Sequence, residues 1–236
     1  MSVRRGSTDW LVRTVQMLLV IVAAGAIVAP LTGCEAGPSL QAMRTQGDRA
    51  LDQRDYAAAA DWYEQYVARR PIEPEIRYRL GAAYLGLKQP VKAREEFLQG
   101  IEMNPIDAGR FIEGIATALV ETGQRDQLFT VLRNRATTTR QPEDYLLFGK
   151  FAAIVGDPDT AEMALTEAAS LDQGRSVEPQ LALADFYGGV GDTEEETRRL
   201  RMVLFLDATN ARANARLREL GEVPGPSIAL PPTERP

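Results

Sequence analysis

Four residue pairs recur 34 positions apart: Gly47 and Gly81, Ala59 and Ala93, Tyr63 and Phe97, Pro71 and Pro105. A repeat of this length is a single supersecondary unit that cannot bury its apolar face alone, so copies must stack and share one continuous core. Within a copy the pattern is helical. Apolar or small residues fall three, four and seven apart, as in Leu80, Gly81 and Tyr84 followed by Phe97 and Ile101. A small residue lets two helices cross closely, and a proline closes the second helix.

Three further hairpins are more degenerate and align by their turns at Thr122-Gly123, Val155-Gly156-Asp157 and Val190-Gly191-Asp192. The fourth copy keeps Gly149, Ala161 and Ala168; the fifth keeps Ala184, Tyr187 and a closing Leu206-Asp207. Proline supports the boundaries independently. Pro74, Pro90, Pro142, Pro158 and Pro179 each fall where a helix has its first residue, a position that tolerates a missing N–H. Thr193 with Glu196 three residues on predicts a capping box.

Small, aromatic and proline residues in that order at a period of 34 resemble the tetratricopeptide repeat. The resemblance covers residues 40–208 and implies an all-α fold, a right-handed superhelical stack of about five hairpins. A capping helix is predicted from Asn210 to Leu220, because a terminal repeat must present one polar face. The folded domain is therefore expected over 40–220. Residues 221–236 are so rich in proline that a disordered tail is expected there.

Absent residues restrict the chemistry. The chain has no histidine and one cysteine, Cys34, which excludes Cys/His zinc sites and histidine-activated nucleophiles. No metal, cofactor or catalytic residue is expected. Net charge is −6, and removing the first 33 residues takes away Arg4, Arg5, Arg13 and Asp9, leaving −8. That balance disfavours nucleic acid, whose phosphates require a dense basic footprint.

At the N-terminus, Arg4, Arg5 and Arg13 precede an apolar run over residues 17–29, shorter than the roughly 20 residues of a spanning helix. The run suits a secretory signal core and ends in Leu31-Thr32-Gly33-Cys34. This motif resembles the lipobox of bacterial lipoproteins. The resemblance implies cleavage after Gly33, with residues 1–33 a signal peptide, and lipidation of Cys34. The alternative, an uncleaved anchor starting near Trp10, would have to include Arg13. Glu35 is not the aspartate that commonly retains lipoproteins in the inner membrane, so attachment to the outer membrane, facing the periplasm, is expected. The linker 34–39 is short, and the folded part must lie close to the membrane.

In the repeat family the first helix of each hairpin lines a concave face. Projection onto this chain gives Arg44, Asp48, Asp52, Glu75, Tyr78, Arg79, Arg110, Glu113 and Glu121 in the first three hairpins, and Leu146, Leu147, Lys150, Ile154, Leu181 and Asp185 in the last two. Family members that clamp a C-terminal carboxylate do so with basic and asparagine side chains. Here Arg44, Arg79 and Arg110 are basic, but Asp48 and Gly114 depart from that pattern. Residues 145–155 are apolar nearly all round, more than one buried stripe requires, which predicts an apolar binding patch at Leu146, Leu147, Ile154 and Leu181. The expected function is a membrane-anchored adaptor for envelope proteins, similar in layout to the repeat lipoproteins that assemble pili, secretins or outer-membrane proteins. The alternative is a peptidoglycan hydrolase or accessory factor using groove carboxylates such as Glu113 and Glu121.

Overall fold

The computed structural model describes residues 37–105 and 108–234. The apolar run and Cys34 lie outside the described residues. From Leu40 onward the chain forms one compact unit. Its described residues contain eleven α-helices and no strand: α1 (Leu40–Asp52), α2 (Tyr56–Arg69), α3 (Pro74–Gly86), α4 (Pro90–Met103), α5 (Ala108–Glu121), α6 (Arg125–Thr139), α7 (Pro142–Ile154), α8 (Pro158–Asp172), α9 (Glu178–Val190), α10 (Thr193–Leu206) and α11 (Ala211–Glu219). Consecutive helices pack pairwise as hairpins, so the stack is an all-α repeat solenoid.

The helix ends follow local chemistry. Pro74, Pro90, Pro142 and Pro158 open their helices, and Pro179 sits one residue further in. Asp55, Asp157, Asp192 and Asn210 each accept a backbone N–H of the first turn. The expected capping box at Thr193 does not form. Asp192 caps α10 instead, and Glu196 turns to the Arg216 guanidinium, 2.6 Å away. Every hairpin turn carries one residue in the left-handed region: Arg54, Lys88, Gly123, Gly156 and Gly191. Glycine adopts that conformation without a Cβ penalty, whereas the two longer side chains do not.

The repeated glycine and aromatic positions meet at the helix crossings. A Cβ on Gly47 would stand 2.6 Å from the Tyr63 ring, one on Gly81 2.5 Å from Phe97, and one on Gly149 2.6 Å from Leu165. In all three the partner lies 16 residues on, which is why the period is visible in sequence. Tyrosines of first helices also donate to the preceding second helix, Tyr84 to Glu64 at 2.6 Å and Tyr187 to Glu162 at 2.8 Å. Burial, reinforced by the Glu162 hydrogen bond, pushes the Tyr187 phenol up to about 12. The hairpin 3–4 junction is held by buried Asp144, which accepts from Arg135 at 3.1 Å and from Thr139 at 2.6 Å.

First helices also approach one another across repeats: α3 nears α5, α5 nears α7 and α7 nears α9. Second helices show no comparable approach among the described residues, so the face built by first helices is the inner one. The capping helix is observed, with Asn210 and Leu220 as its caps. The segment after it departs from expectation. Composition predicts disorder, yet residues 222–234 run across α9 and α10, because Arg199 and Arg201 offer partners that a proline-rich chain can use. Among the described residues no helix is long and apolar enough to cross a membrane.

Candidate functional site

On the inner face of the first three hairpins, the predicted charges meet each other. Asp48 on α1 accepts from Arg79 Nη1 of α3 at 2.9 Å and from the Tyr63 hydroxyl at 2.7 Å, with Arg44 Nε 3.9 Å away. Arg79 Nε donates to Glu75 at 2.8 Å, and the second oxygen of Glu75 accepts from Arg110 Nη1 of α5 at 2.6 Å. Burial raises the Glu75 carboxyl, but the Arg110 and Arg79 hydrogen bonds outweigh it and hold it below the usual range. Burial first, then the bond to Asp48, raises the Tyr63 phenol far above its ordinary value. The Arg110 guanidinium also lies 4.7 Å from the centre of the Tyr78 ring, which is itself 5.5 Å from Phe111 and 5.7 Å from Phe97. A carboxylate clamp needs cations available to a ligand. Arg79 and Arg110 are instead committed to acids of this chain, and together with Arg44 and Tyr78 they form a wall tying α1, α3 and α5.

The carboxylates of the hydrolase alternative are engaged as well. Glu113 pairs with Lys150 at 2.7 Å and Glu121 with Lys88 at 3.0 Å. Eight residues apart on α5, they stand roughly 12 Å apart along the axis at about 1.5 Å per residue. Acid pairs of glycoside hydrolysis work at about 5–9.5 Å.

Beyond the wall the inner face opens into a hollow of ≈ 490 Å³ between α7 and α9. Leu146, Leu147 and Ala153 of α7 face Ala182 and Phe186 of α9, over a floor made by Gly149 and Leu165. Glu143, Lys150 and Asp185 supply the charge around it. The floor exists because α7 and α8 cross tightly at Gly149, which leaves no α7 side chain to fill the space. The sequence-predicted residues Leu146, Leu147, Lys150 and Asp185 are thus brought together.

Two predicted residues are not. Ile154 is 55 % exposed at the end of α7 and does not line the hollow. Leu181 turns away and, like Val177, Leu220, Ile228 and Ala229, packs on the last core cluster. One residue is 100° of helix, so the face expected for Leu181 belongs to Ala182 and Phe186. The cause is the last core cluster, to which Ala213 and Leu217 of the capping helix contribute and which no internal repeat provides. Sequence reasoning missed Ala153, Ala182 and Phe186; Phe186 carried a signal in its i, i+4 relation to Ala182.

A second, polar hollow lies between α9 and α11, where buried Glu196 accepts from Arg216 and Asp185 pairs with Arg212. Burial of Glu196 is tolerated because the guanidinium approaches both its oxygens, at 2.6 and 3.1 Å.

Residues 44–108 match the tetratricopeptide repeat family. No functionally curated protein matches the sequence. Among solved structures, the fold is similar to the thermophilic tetratricopeptide-repeat protein TTC0263 of Thermus thermophilus, at 21 % identity and a TM-score of 0.53 over 77 % of this chain and 98 % of that one. It is also similar to PilW, described as a widely conserved type IV pilus biogenesis factor, at 12 % identity and a TM-score of 0.55 over 76 % and 83 %. A third similarity is to pilF of Pseudomonas aeruginosa, at 15 % identity and a TM-score of 0.52 over 77 % and 84 %.

Proposed function

Because residues 44–108 match the tetratricopeptide repeat family and further helical hairpins continue the stack, we propose that the chain is a protein-interaction adaptor of the bacterial envelope that seats an apolar partner segment between α7 and α9. The carrying observation is the hollow itself. A repeat stack buries its apolar stripes between neighbours, and an open apolar floor with charges at its edge is the arrangement an inserted amphipathic segment requires. The wall of paired charges over α1, α3 and α5 supports this reading, since it leaves the apolar half as the inner surface with unsatisfied contact area.

The anchoring half of the proposal rests on Leu31-Thr32-Gly33-Cys34. Cys34 carries lipid and holds the domain on the periplasmic side, at the outer membrane, where several acyl chains give stable attachment. PilW shares the fold and is described as a pilus biogenesis factor, so pilus assembly is the first envelope assembly to test; secretin and outer-membrane protein assembly follow.

Ala153 provides the test because it lines the hollow yet is exposed. Ala153→Asp places a charge on the apolar wall without burying it, so the melting temperature is expected to stay within about 2 °C while partner recovery from envelope extracts is lost. Recovery equal to the parent by the folded variant would overturn the hollow as the site. Separately, Cys34→Ser is expected to abolish acyl labelling and leave the precursor uncleaved; normal maturation of that variant would remove the lipid anchor.

A further inference from the structure

After α11 the chain reverses at Gly221, whose φ is +84°, and crosses the last hairpin without forming helix or strand. Four kinds of contact hold it. Arg201 of α10 reads its backbone, donating from Nε to Ile228 O at 2.6 Å while its own carbonyl accepts Leu230 N–H at 3.0 Å. Ile228 and Ala229 pack on the core cluster of the last hairpin, the cluster that also receives Leu181 and Leu220. Pro232 is buried. Glu234 accepts from Arg199 Nη1 at 2.7 Å and from Gln180 Nε2 at 3.1 Å.

The receiving surface is specialised for this. Arg199 is only 7 % exposed in its side chain and Gln180 is fully buried. Apart from Glu234, the Arg199 guanidinium meets the neutral Gln180 Oε1 at 3.0 Å and a carboxylate of Glu195 no closer than 3.9 Å. These exposures hold with the strap in place, and a segment that covers Arg199 without offering it an anion would bury an unpaired cation, so an occupant of this surface must bring a carboxylate. Burial raises the Glu234 carboxyl and the Arg199 bond more than reverses it, which keeps the resident group charged at neutral pH. The strap is also lightly held. From residue 223 on, a single backbone–backbone hydrogen bond joins it to the helices, Ile228 and Leu230 are half-buried, and Val223, Pro226 and Ser227 are exposed, so its release leaves the hairpin cores intact.

We infer that this seat on α9 and α10 is a second peptide-binding site, taking an extended partner segment that offers a backbone pair to Arg201, small apolar residues to the core cluster that receives Leu181, and a carboxylate to Arg199 and Gln180. Residues 228–234 are its resident occupant. The site shares no residue with the α7–α9 hollow, and its existence does not depend on that hollow being used. A second copy of the chain is disfavoured as the occupant. Each copy already fills its own seat at the high effective concentration of a short tether, so exchange between identical straps gains no contact.

The test uses the full chain in detergent. Ile228→Asp releases the strap while leaving every residue of the seat in place; Leu230→Pro, which removes a single backbone donor, is the milder release if the first variant loses its helical spectrum. Exchange of the amide at residue 230 reports release for the first variant, and cleavage at Glu222 and Glu234 by a glutamyl endopeptidase reports it for either. A fluorescent peptide of residues 222–236 is then titrated by anisotropy. Saturable binding at least tenfold tighter to the released variant than to the unaltered chain is expected, with at least a tenfold loss when Arg199→Met is added. A folded, strap-released variant that fails to bind the peptide overturns the inference, as does binding indifferent to Arg199→Met. Concentration-dependent dimers of the unaltered chain that vanish with Ile228→Asp would overturn the partner assignment in favour of a second copy.

Discussion

Replacing Gly81 by alanine tests the helix crossing from which the repeat derives its period. The added Cβ would lie 2.5 Å from Phe97 Cε1, against an ordinary carbon contact of about 3.5–4.0 Å, so the ring must retreat by about 1 Å. It has nowhere to go. A Cβ on Gly114, across in α5, would also stand 2.5 Å from the same ring, and Phe97 is 1 % exposed. Overfilling of this kind costs about 1–3 kcal/mol, while alanine for glycine inside a helix returns about 1 kcal/mol. Because the ring is blocked on both sides the cost falls in the upper part of that range, about 2–3 kcal/mol, and the net loss of about 1–2 kcal/mol corresponds to a fall in Tm of about 2–8 °C for a domain of this size. Thermal unfolding followed by circular dichroism reads it directly, with Gly109→Ala as control, since that Cβ meets no atom within 4 Å. Phe97→Leu in the Gly81→Ala background should recover part of the loss, giving a coupling energy of about 1 kcal/mol. A Gly81→Ala protein melting at or above the parent, or strict additivity with Phe97→Leu, would refute the reasoning.

Arg54 and Lys88 stand at φ 60° and 59° where the later hairpins have glycine, so Arg54→Gly and Lys88→Gly are each expected to raise stability by about 0.5 kcal/mol; denaturant titration in urea checks both. Glu75 has its folded pKa lowered, so its contribution is present above the ordinary carboxylate range and is lost as pH falls through the lowered value. Glu75→Gln should therefore melt lower than the parent at pH 7, with the gap narrowing as pH falls below the ordinary carboxylate range. A gap in Tm that persists unchanged to pH 3 would show that the two arginines do not act through the charge of Glu75.

Most of the stack was legible because its signals are local and recur. Glycine with a bulky partner 16 residues on, proline at helix starts and a turn residue at each hairpin tip leave marks at fixed spacing, and the eleven observed helices fall on them. The inner-face residues were legible as positions but not as partners. Arg79 and Arg110 looked available because nothing in the sequence says that Asp48, 31 residues before Arg79, and Glu75, 35 before Arg110, would reach them. The same holds for Arg199 with Glu234, whose separation of 35 residues bears no relation to the repeat because the strap is not a repeat. Leu181 failed for a related reason: its register was projected from internal copies, and the end of a stack has contacts that no internal copy has.

If partners enter the hollow between α7 and α9, a crosslinker on its wall must capture them. A photo-crosslinking side chain at Ala153, on its wall, is compared with one at Leu98, which is 47 % exposed on second helix α4. The measurement is made in native envelopes and the products are identified by mass spectrometry. One envelope protein joined at residue 153 is expected, with none at residue 98 and loss of the product when Ala182→Asp is added to the opposite wall. Equal products at the two positions, or a product at 153 that survives Ala182→Asp in a folded chain, would contradict entry into the hollow.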